Sequence, residues 1–332
     1  MTLKSLFAKC VTKHLSLWKG LGGLFLFFLS LSPAGAQKIG LVLGGGGAKG
    51  AAEVGALKVI ERLGIRPDYI VGTSIGAIVG GLYAAGYSAT ELEQLFCQQE
   101  WLSLLTDRRE DLSGEPYKTE NGITYIFGFP VIDTSSQQFG LLRGGRVETV
   151  LDSMFAVKGC QQFNCLSTPF CCVAAELLSA EEVLLKKGSL SKAIRASMAI
   201  PGIFKPVKID GRQLVDGGMM NNLPVDVARQ MGADVIIAID LQQDKPQRRQ
   251  QSQSIITTFA DLIGLGGIAD WIINRPDINK YYDNCRDADV YINPRLPDMD
   301  ATNFGNDNMR RMILEGEKAA MGAAIKLLPY TN

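Results

Sequence analysis

Two short apolar runs early in this chain each end in a glycine-rich turn and resume as a helix, and that arrangement narrows the possible folds more than any other feature. The first run, residues 38–43, enters Gly44-Gly45-Gly46-Gly47-Ala48-Lys49-Gly50. It leaves as a helix expected over 48–63, with Val54, Leu57, Ile60 and Leu63 at helical spacing and Gly64 placed to stop it. The second run, residues 69–71, enters Gly72-Thr73-Ser74-Ile75-Gly76 and leaves as an apolar helix reaching residue 85. Further strands are predicted at 170–175, 182–185, 207–209, 213–215, 235–240 and 290–293, and helices at 190–198, 225–231 and 308–328. Strands alternating with helices predict an α/β fold around a largely parallel sheet. Asp210-Gly211, between two short strands, predicts a hairpin. The polar stretches 107–122 and 242–254 read as surface loops, and neither shifts composition enough to divide the chain into domains.

The N-terminus reads differently. Lys4, Lys9, Lys13 and Lys19 precede a largely apolar run over 21–31, and no acidic residue occurs before Glu53. Ala34-Gly35-Ala36 then supplies the small residues of a cleavage site ahead of Gln37. This layout predicts a secretory signal peptide over 1–36 and a mature chain over 37–332, exported to the periplasm or the extracellular space. The apolar run is shorter than the ~20 residues that span a bilayer, which leaves an uncleaved interfacial anchor as the alternative. No Cys stands directly after the cut, which argues against a lipid-anchored lipoprotein. The whole chain balances 34 Lys+Arg against 34 Asp+Glu and holds one His. Removing the leader takes away four Lys and His14, leaving 30 basic against 34 acidic residues and no imidazole. Such a balance lacks the basic excess of a nucleic-acid binder, and the histidine count excludes a multi-imidazole zinc site.

The turns themselves carry chemistry. Successive glycines bring unhindered N–H groups close to a ligand, and the following helix adds its positive end. Such a loop can hold a phosphate or an oxyanion, and Gly45-x-Gly47-x-x-Gly50 also fits a dinucleotide fingerprint. The second turn argues against nucleotides. A dinucleotide site wants an acid at the end of the second strand, whereas Asp68 precedes that strand and the strand ends at Ser74. A phosphate-binding P-loop also fails, because Gly50 stands where Ser or Thr should follow Lys49. Gly72-x-Ser74-x-Gly76 between a strand and a helix is instead the context of a nucleophile elbow. A serine nucleophile needs a base, and without histidine that base is a carboxylate or a lysine. Asp216, in Asp216-Gly217-Gly218 after a predicted strand, and Asp240, at another strand end, are both open to the role.

Taken in order, Gly44 to Gly50, Gly72 to Gly76 and Asp216 to Gly218 resemble the patatin-like phospholipase family in its secreted bacterial form. The resemblance extends to Ile39-Gly40-Leu41-Val42-Leu43, to Arg195-Ala196-Ser197-Met198-Ala199-Ile200-Pro201 and to Asn221-Asn222-Leu223-Pro224-Val225, and so covers residues 38–325. It implies a three-layer α/β/α fold with a mostly parallel central sheet. It further implies a dyad of Ser74 as nucleophile and Asp216 as base, with Gly45, Gly46 and Gly47 forming the oxyanion hole. Gly50, Gly72, Gly76, Gly217 and Gly218 complete the motifs. Gly44 departs from relatives that carry Ser there, which puts little in doubt. The implied activity is lipid acyl hydrolysis of the phospholipase A or lysophospholipase type, through an acyl-serine intermediate and with no cofactor or metal. The implied partners are a phospholipid or other acyl ester and, peripherally, a membrane surface or lipid aggregate. A transacylase or general carboxylesterase, or a non-catalytic lipid-binding module, are the alternatives.

Other residues have plainer readings. The stretch 255–273 is strongly apolar and reads as a core helix, with an interfacial lid as the alternative. Lys49 reads as structural rather than as a headgroup contact, and Arg195 as a partner for a carboxylate in the core. The mature chain keeps Cys97, Cys160, Cys165, Cys171, Cys172 and Cys285, among which Cys160 with Cys165 is the expected local disulfide.

Overall fold

The computed structural model describes residues 37–105, 118–120, 123–126, 129–133, 144–201, 203–242, 278–299 and 301–331. The expected leader and the apolar stretch 255–273 lie outside the described residues, as do most of the two polar loops.

Residues whose neighbours on both faces are apolar form the centre of the fold. The strands are β1 (Ile39–Leu43), β2 (Tyr69–Thr73), β3 (Lys118–Glu120), β4 (Ile123–Ile126), β5 (Phe129–Asp133), β6 (Phe170–Glu176), β7 (Glu182–Leu185), β8 (Val207–Ile209), β9 (Arg212–Asp216), β10 (Val235–Ile239) and β11 (Val290–Ile292). β1, β6 and β10 are buried along their whole length, which is why they read as continuous apolar runs. The main sheet runs β11-β10-β1-β2-β6-β9-β8, with β7 pairing β6 off this path. β11, β10, β1, β2 and β6 are mutually parallel, whereas β7, β8 and β9 join antiparallel. β3, β4 and β5 form a separate antiparallel sheet. β3 therefore corrects the reading of 107–122 as a loop throughout: Lys118–Glu120 is extended and paired with β4.

The helices are α1 (Ala51–Arg62), α2 (Ile75–Ala84), α3 (Ala89–Gln98), α4 (Trp101–Leu105), α5 (Gly145–Val157), α6 (Leu190–Ser197), α7 (Val225–Gln230), α8 (Ile278–Asp287), α9 (Asn306–Gly322) and α10 (Ala324–Leu327). Side chains alternating along each strand feed two cores. Leu41, Leu43, Ile70, Cys172 and Ala174 pack with residues of α1, α2, α3 and α9. Val42, Val71, Cys171 and Val173 pack with Val225, Val227 and Ala228 of α7 and Tyr281 of α8. The result is a three-layer α/β/α fold with a mostly parallel sheet. Cys171 and Cys172 fall on opposite faces as free thiols, while Cys160 and Cys165 form a disulfide with their Cα atoms 5.4 Å apart.

Two expected helices are trimmed. A 3-10 turn at Gly47–Gly50 takes up the start of the first, so α1 begins at Ala51. The last breaks at Ala323 into α9 and α10. α9 lies against α1 at backbone contact. A Cβ added to Gly55 would collide with the Ile313 carbonyl, and one added to Gly316 with the Ala52 carbonyl.

Candidate active site

β6 is the strand on which the site is built. Cys172 and Val173 pair with both β2 and β7, so those two lie on opposite edges of β6. Ala174 and Ala175 pair with both β7 and β9, which puts β9 on the same edge as β2. Thr73 stands opposite Val173 and Asp216 opposite Ala174, so β2 and β9 meet end to end, one residue apart along β6. The hairpin between β8 and β9 delivers the second of these ends. Its turn residues Asp210 and Gly211 have φ of 49° and 82°, the left-handed pair a tight hairpin needs.

At the end of β2 the chain turns sharply. Ser74 adopts φ 56° and ψ −121°, outside the regions that non-glycine residues normally occupy. The turn closes because Gly72 and Gly76 lack side chains: a Cβ on Gly72 would strike the Gly76 carbonyl, and one on Gly76 the Leu43 carbonyl. Gly50 lets the glycine loop seat on Ile75 in the same way. The Ser74 carbonyl accepts from Ala77 N–H at 2.9 Å, inside the helix the turn starts, and its own N–H donates to Ser197 Oγ at 3.0 Å.

The Ser74 hydroxyl then donates to Asp216 Oδ2 at 2.7 Å. Asp216 Oδ1 accepts from Gly218 N–H at 2.8 Å, and Gly217 opens that turn against the Val173 carbonyl, where a Cβ would not fit. Burial pushes the Asp216 carboxyl up from 3.8 to about 6, against the lowering effect of the hydrogen bonds from Ser74 and Gly218. Asp240, the other carboxylate open from sequence, is engaged elsewhere: it accepts from the Tyr281 hydroxyl, from the Tyr291 hydroxyl at 2.6 Å and from Gln242 N–H at 3.0 Å.

The glycine loop packs against the serine, since a Cβ built on Gly45 would lie 3.3 Å from Ser74 Cβ. One expectation changes here. The Gly45 N–H donates to the Asn222 carbonyl at 3.1 Å, and the Gly45 carbonyl accepts from Asn222 Nδ2 and Gln242 Nε2, both at 3.0 Å. Gly45 is thus held by the segment after the Asp216 turn, and its N–H faces an acceptor already. Among the described residues, the N–H groups of Gly46 and Gly47 donate to no protein acceptor. Lys49 is buried and its Nζ donates to the Leu241 carbonyl at 2.9 Å, in keeping with a structural role. Glu53, fully buried beneath the loop, has its carboxyl held well above the usual range by burial, aided by Asp240 and opposed by the Gly44 N–H. Arg195 donates to the Lys205 carbonyl at 3.3 Å and lies over the Phe204 ring, contacts not anticipated from the sequence.

The family model for patatin-like phospholipases matches residues 41–229, a span that contains the glycine loop, the serine turn and the Asp216 turn. The chain belongs to the patatin-like phospholipase family. It is 31% identical over 254 residues to patatin-like phospholipase domain-containing protein 6 of Homo sapiens, covering 76% of this chain and 16% of that protein. It is 33% identical over 213 residues to an uncharacterised NTE family protein of Mycobacterium tuberculosis, covering 64% of this chain and 51% of that one. The chain therefore matches only a minor part of the human relative and about half of the mycobacterial one. Among solved structures, VipD from Legionella pneumophila aligns with a TM-score of 0.42 at 15% identity, over 90% of this chain and 67% of that chain. Membership in the patatin-like phospholipase family supports lipid hydrolase activity. Among the described residues no group of three or more His, Cys, Asp or Glu side chains is placed to hold a metal ion. Sequence reasoning missed Ser197, Asn222 and Gln242 as site residues. Ser197 lies within the Arg195 to Pro201 run and Asn222 within the Asn221 to Val225 run, so both stood in segments that drew attention without a role.

Proposed function

We propose that this chain is a lipid acyl hydrolase working through a Ser74–Asp216 dyad. Ser74 Oγ attacks the carbonyl carbon of an acyl ester while its proton passes to Asp216 Oδ2. The oxyanion that forms is received by the N–H groups of Gly46 and Gly47, each such donor contributing about 3 kcal/mol to the transition state. Collapse expels the alcohol, which takes the proton from Asp216, and leaves an acyl ester on Ser74. Water then attacks that ester with Asp216 again as base, releasing the fatty acid. The observation that carries this reading is the 2.7 Å hydrogen bond from Ser74 Oγ to a buried carboxylate, in a chain whose only histidine is His14.

Family membership supports a lipid substrate, which we take to be phospholipids or lysophospholipids met at a membrane surface or lipid aggregate. Export is part of the proposal. It is supported by the basic and apolar layout of residues 1–36 and by the Cys160–Cys165 disulfide, which suits an oxidising compartment.

The test is covalent labelling by a serine-reactive fluorophosphonate together with product analysis on phospholipid, lysophospholipid and triglyceride. Labelling is expected in the native chain and lost in Ser74→Ala, with free fatty acid as product. Retained hydrolysis in Asp216→Ala would sink the dyad. Acyl transfer to an added alcohol in preference to water would make the chain a transacylase instead.

A further inference from the structure

Holding a serine at φ 56° requires both peptide groups that flank it to be pinned, because such a backbone relaxes when either is released. One pin is internal: the Ser74 carbonyl accepts from Ala77 N–H at 2.9 Å and Ile78 N–H at 3.4 Å, the opening bonds of α2. The other comes from outside the turn. The Ser74 N–H reaches across to Ser197 Oγ at 3.0 Å, and that hydroxyl spends its own proton on the Val173 carbonyl at 2.6 Å. Ser197 is completely buried at the last position of α6. Two residues later, Ala199 O accepts the Asp216 N–H at 2.9 Å. The same turn of chain therefore grips the backbone of both members of the dyad.

We infer that Ser197 is a positioning residue for the reaction, its hydroxyl locking the Ser74 peptide so that Oγ stays within reach of Asp216. The inference rests on the dyad reading above. The hydroxyl has a defined direction of action. Val173 O orients it as a donor, which leaves its lone pairs facing Ser74 N–H, and Val173 is the β6 residue opposite Thr73. Ser197 thereby ties the serine turn to the strand whose next residue, Ala174, holds Asp216 in register. Without it, the buried Ser74 N–H would lose this acceptor, and the turn would gain by rotating.

Two variants in the full chain test this, Ser197→Ala and the near-isosteric Ser197→Cys, whose thiol is only a weak acceptor, with Ser74→Ala as reference. The readout is a pH–rate profile on p-nitrophenyl butyrate. Misplacing the nucleophile by a fraction of an ångström is expected to lower kcat by about 10- to 100-fold in the Ala variant, with KM within about twofold of the native value. The Cys variant should fall between. A second readout separates positioning from general damage. The Ser74 hydrogen bond is one of the contacts that hold the Asp216 carboxyl down, so loosening it should move the acid limb of the profile to higher pH. A kcat within about twofold of native in either variant overturns the inference, as does a reduced kcat with an unmoved acid limb. If the Ala variant does not fold, the Cys variant decides on the same criteria. Activity in Ser74→Ala would overturn the dyad itself, a result that neither Ser197 variant can mimic.

Discussion

Replacing Asp216 by Asn should abolish catalysis and at the same time stabilise the fold, in a manner that depends on pH. The Asp216 side chain is buried and, among the described residues, accepts hydrogen bonds from Ser74 Oγ at 2.7 Å and Gly218 N–H at 2.8 Å. Burial outweighs both and lifts the carboxyl from 3.8 to about 6. Between those values the folded chain keeps a proton that the unfolded chain has released, so stability falls as pH rises through this window and stays low above it. At about 1.4 kcal/mol per pH unit, ionised Asp216 destabilises the fold by about 3 kcal/mol at neutral pH relative to pH below 3.8. Asn keeps the shape and never ionises. Its Oδ1 can still accept from Gly218 N–H, and its Nδ2 can donate to Ser74 Oγ. Urea unfolding of Asp216→Asn at about pH 8 should therefore show a gain of about 1–3 kcal/mol over the native chain, shrinking to under about 1 kcal/mol at pH 4.5. A variant no more stable than the native chain at pH 8 would refute the reasoning. So would a gain of equal size at both pH values, which would trace the effect to packing rather than charge.

In the proposed mechanism the same carboxylate sets the pH dependence of the reaction. Hydrolysis needs it ionised, so kcat/KM of the native chain should fall about tenfold per pH unit below about 6 and show no inflection from histidine, as a pH–rate profile would reveal. Away from the site, Gly55→Ala in α1 should be destabilising although Ala is the better helix former by about 1 kcal/mol. Its methyl group meets the Ile313 carbonyl of α9, and overpacking of this kind costs about 1–3 kcal/mol. A raised urea midpoint for that variant would contradict the backbone contact between the two helices.

What the sequence discloses about this molecule is what short-range geometry determines. The glycine loop and the serine turn are readable because strand, glycine and helix follow one another within a few residues, and the Asp210-Gly211 hairpin because its two left-handed residues are adjacent. Most strand boundaries fall within a residue or two of expectation for the same reason. α3 is a different case. Its capping box, Ser88 with Glu91, stands in the sequence as a Ser-x-x-Glu signal and could have announced the helix. β3 could not be read, because a short polar strand acquires its form only from the partner it pairs with. The allocation of N–H groups was equally hidden. Nothing near Gly45 says that its amide belongs to Asn222, a residue 177 positions away, or that the N–H of Ser74 belongs to Ser197.

The pairing of Ser74 with Asp216 was open in sequence for a topological reason. Asp216 and Asp240 both follow strands, and only the order of those strands in the sheet separates them. β10 pairs β1, which carries Asp240 to the glycine-loop side and into the hydroxyls of Tyr281 and Tyr291. β9 instead takes up the edge of β6 that β2 vacates when it turns at Ser74. Neither strand alone brings the hydroxyl and the carboxylate to 2.7 Å; the constant spacing of consecutive residues on β6 does. Because side chains alternate faces along a strand, a one-residue slip of β9 would send Asp216 to the opposite side of the sheet. The short hairpin to β8 resists that slip by fixing the register of β9 through Ile209 and Arg212. The antiparallel strands at this end of an otherwise parallel sheet are thus what places a carboxylate beside the serine, and the proposed dyad depends on that placement for its base.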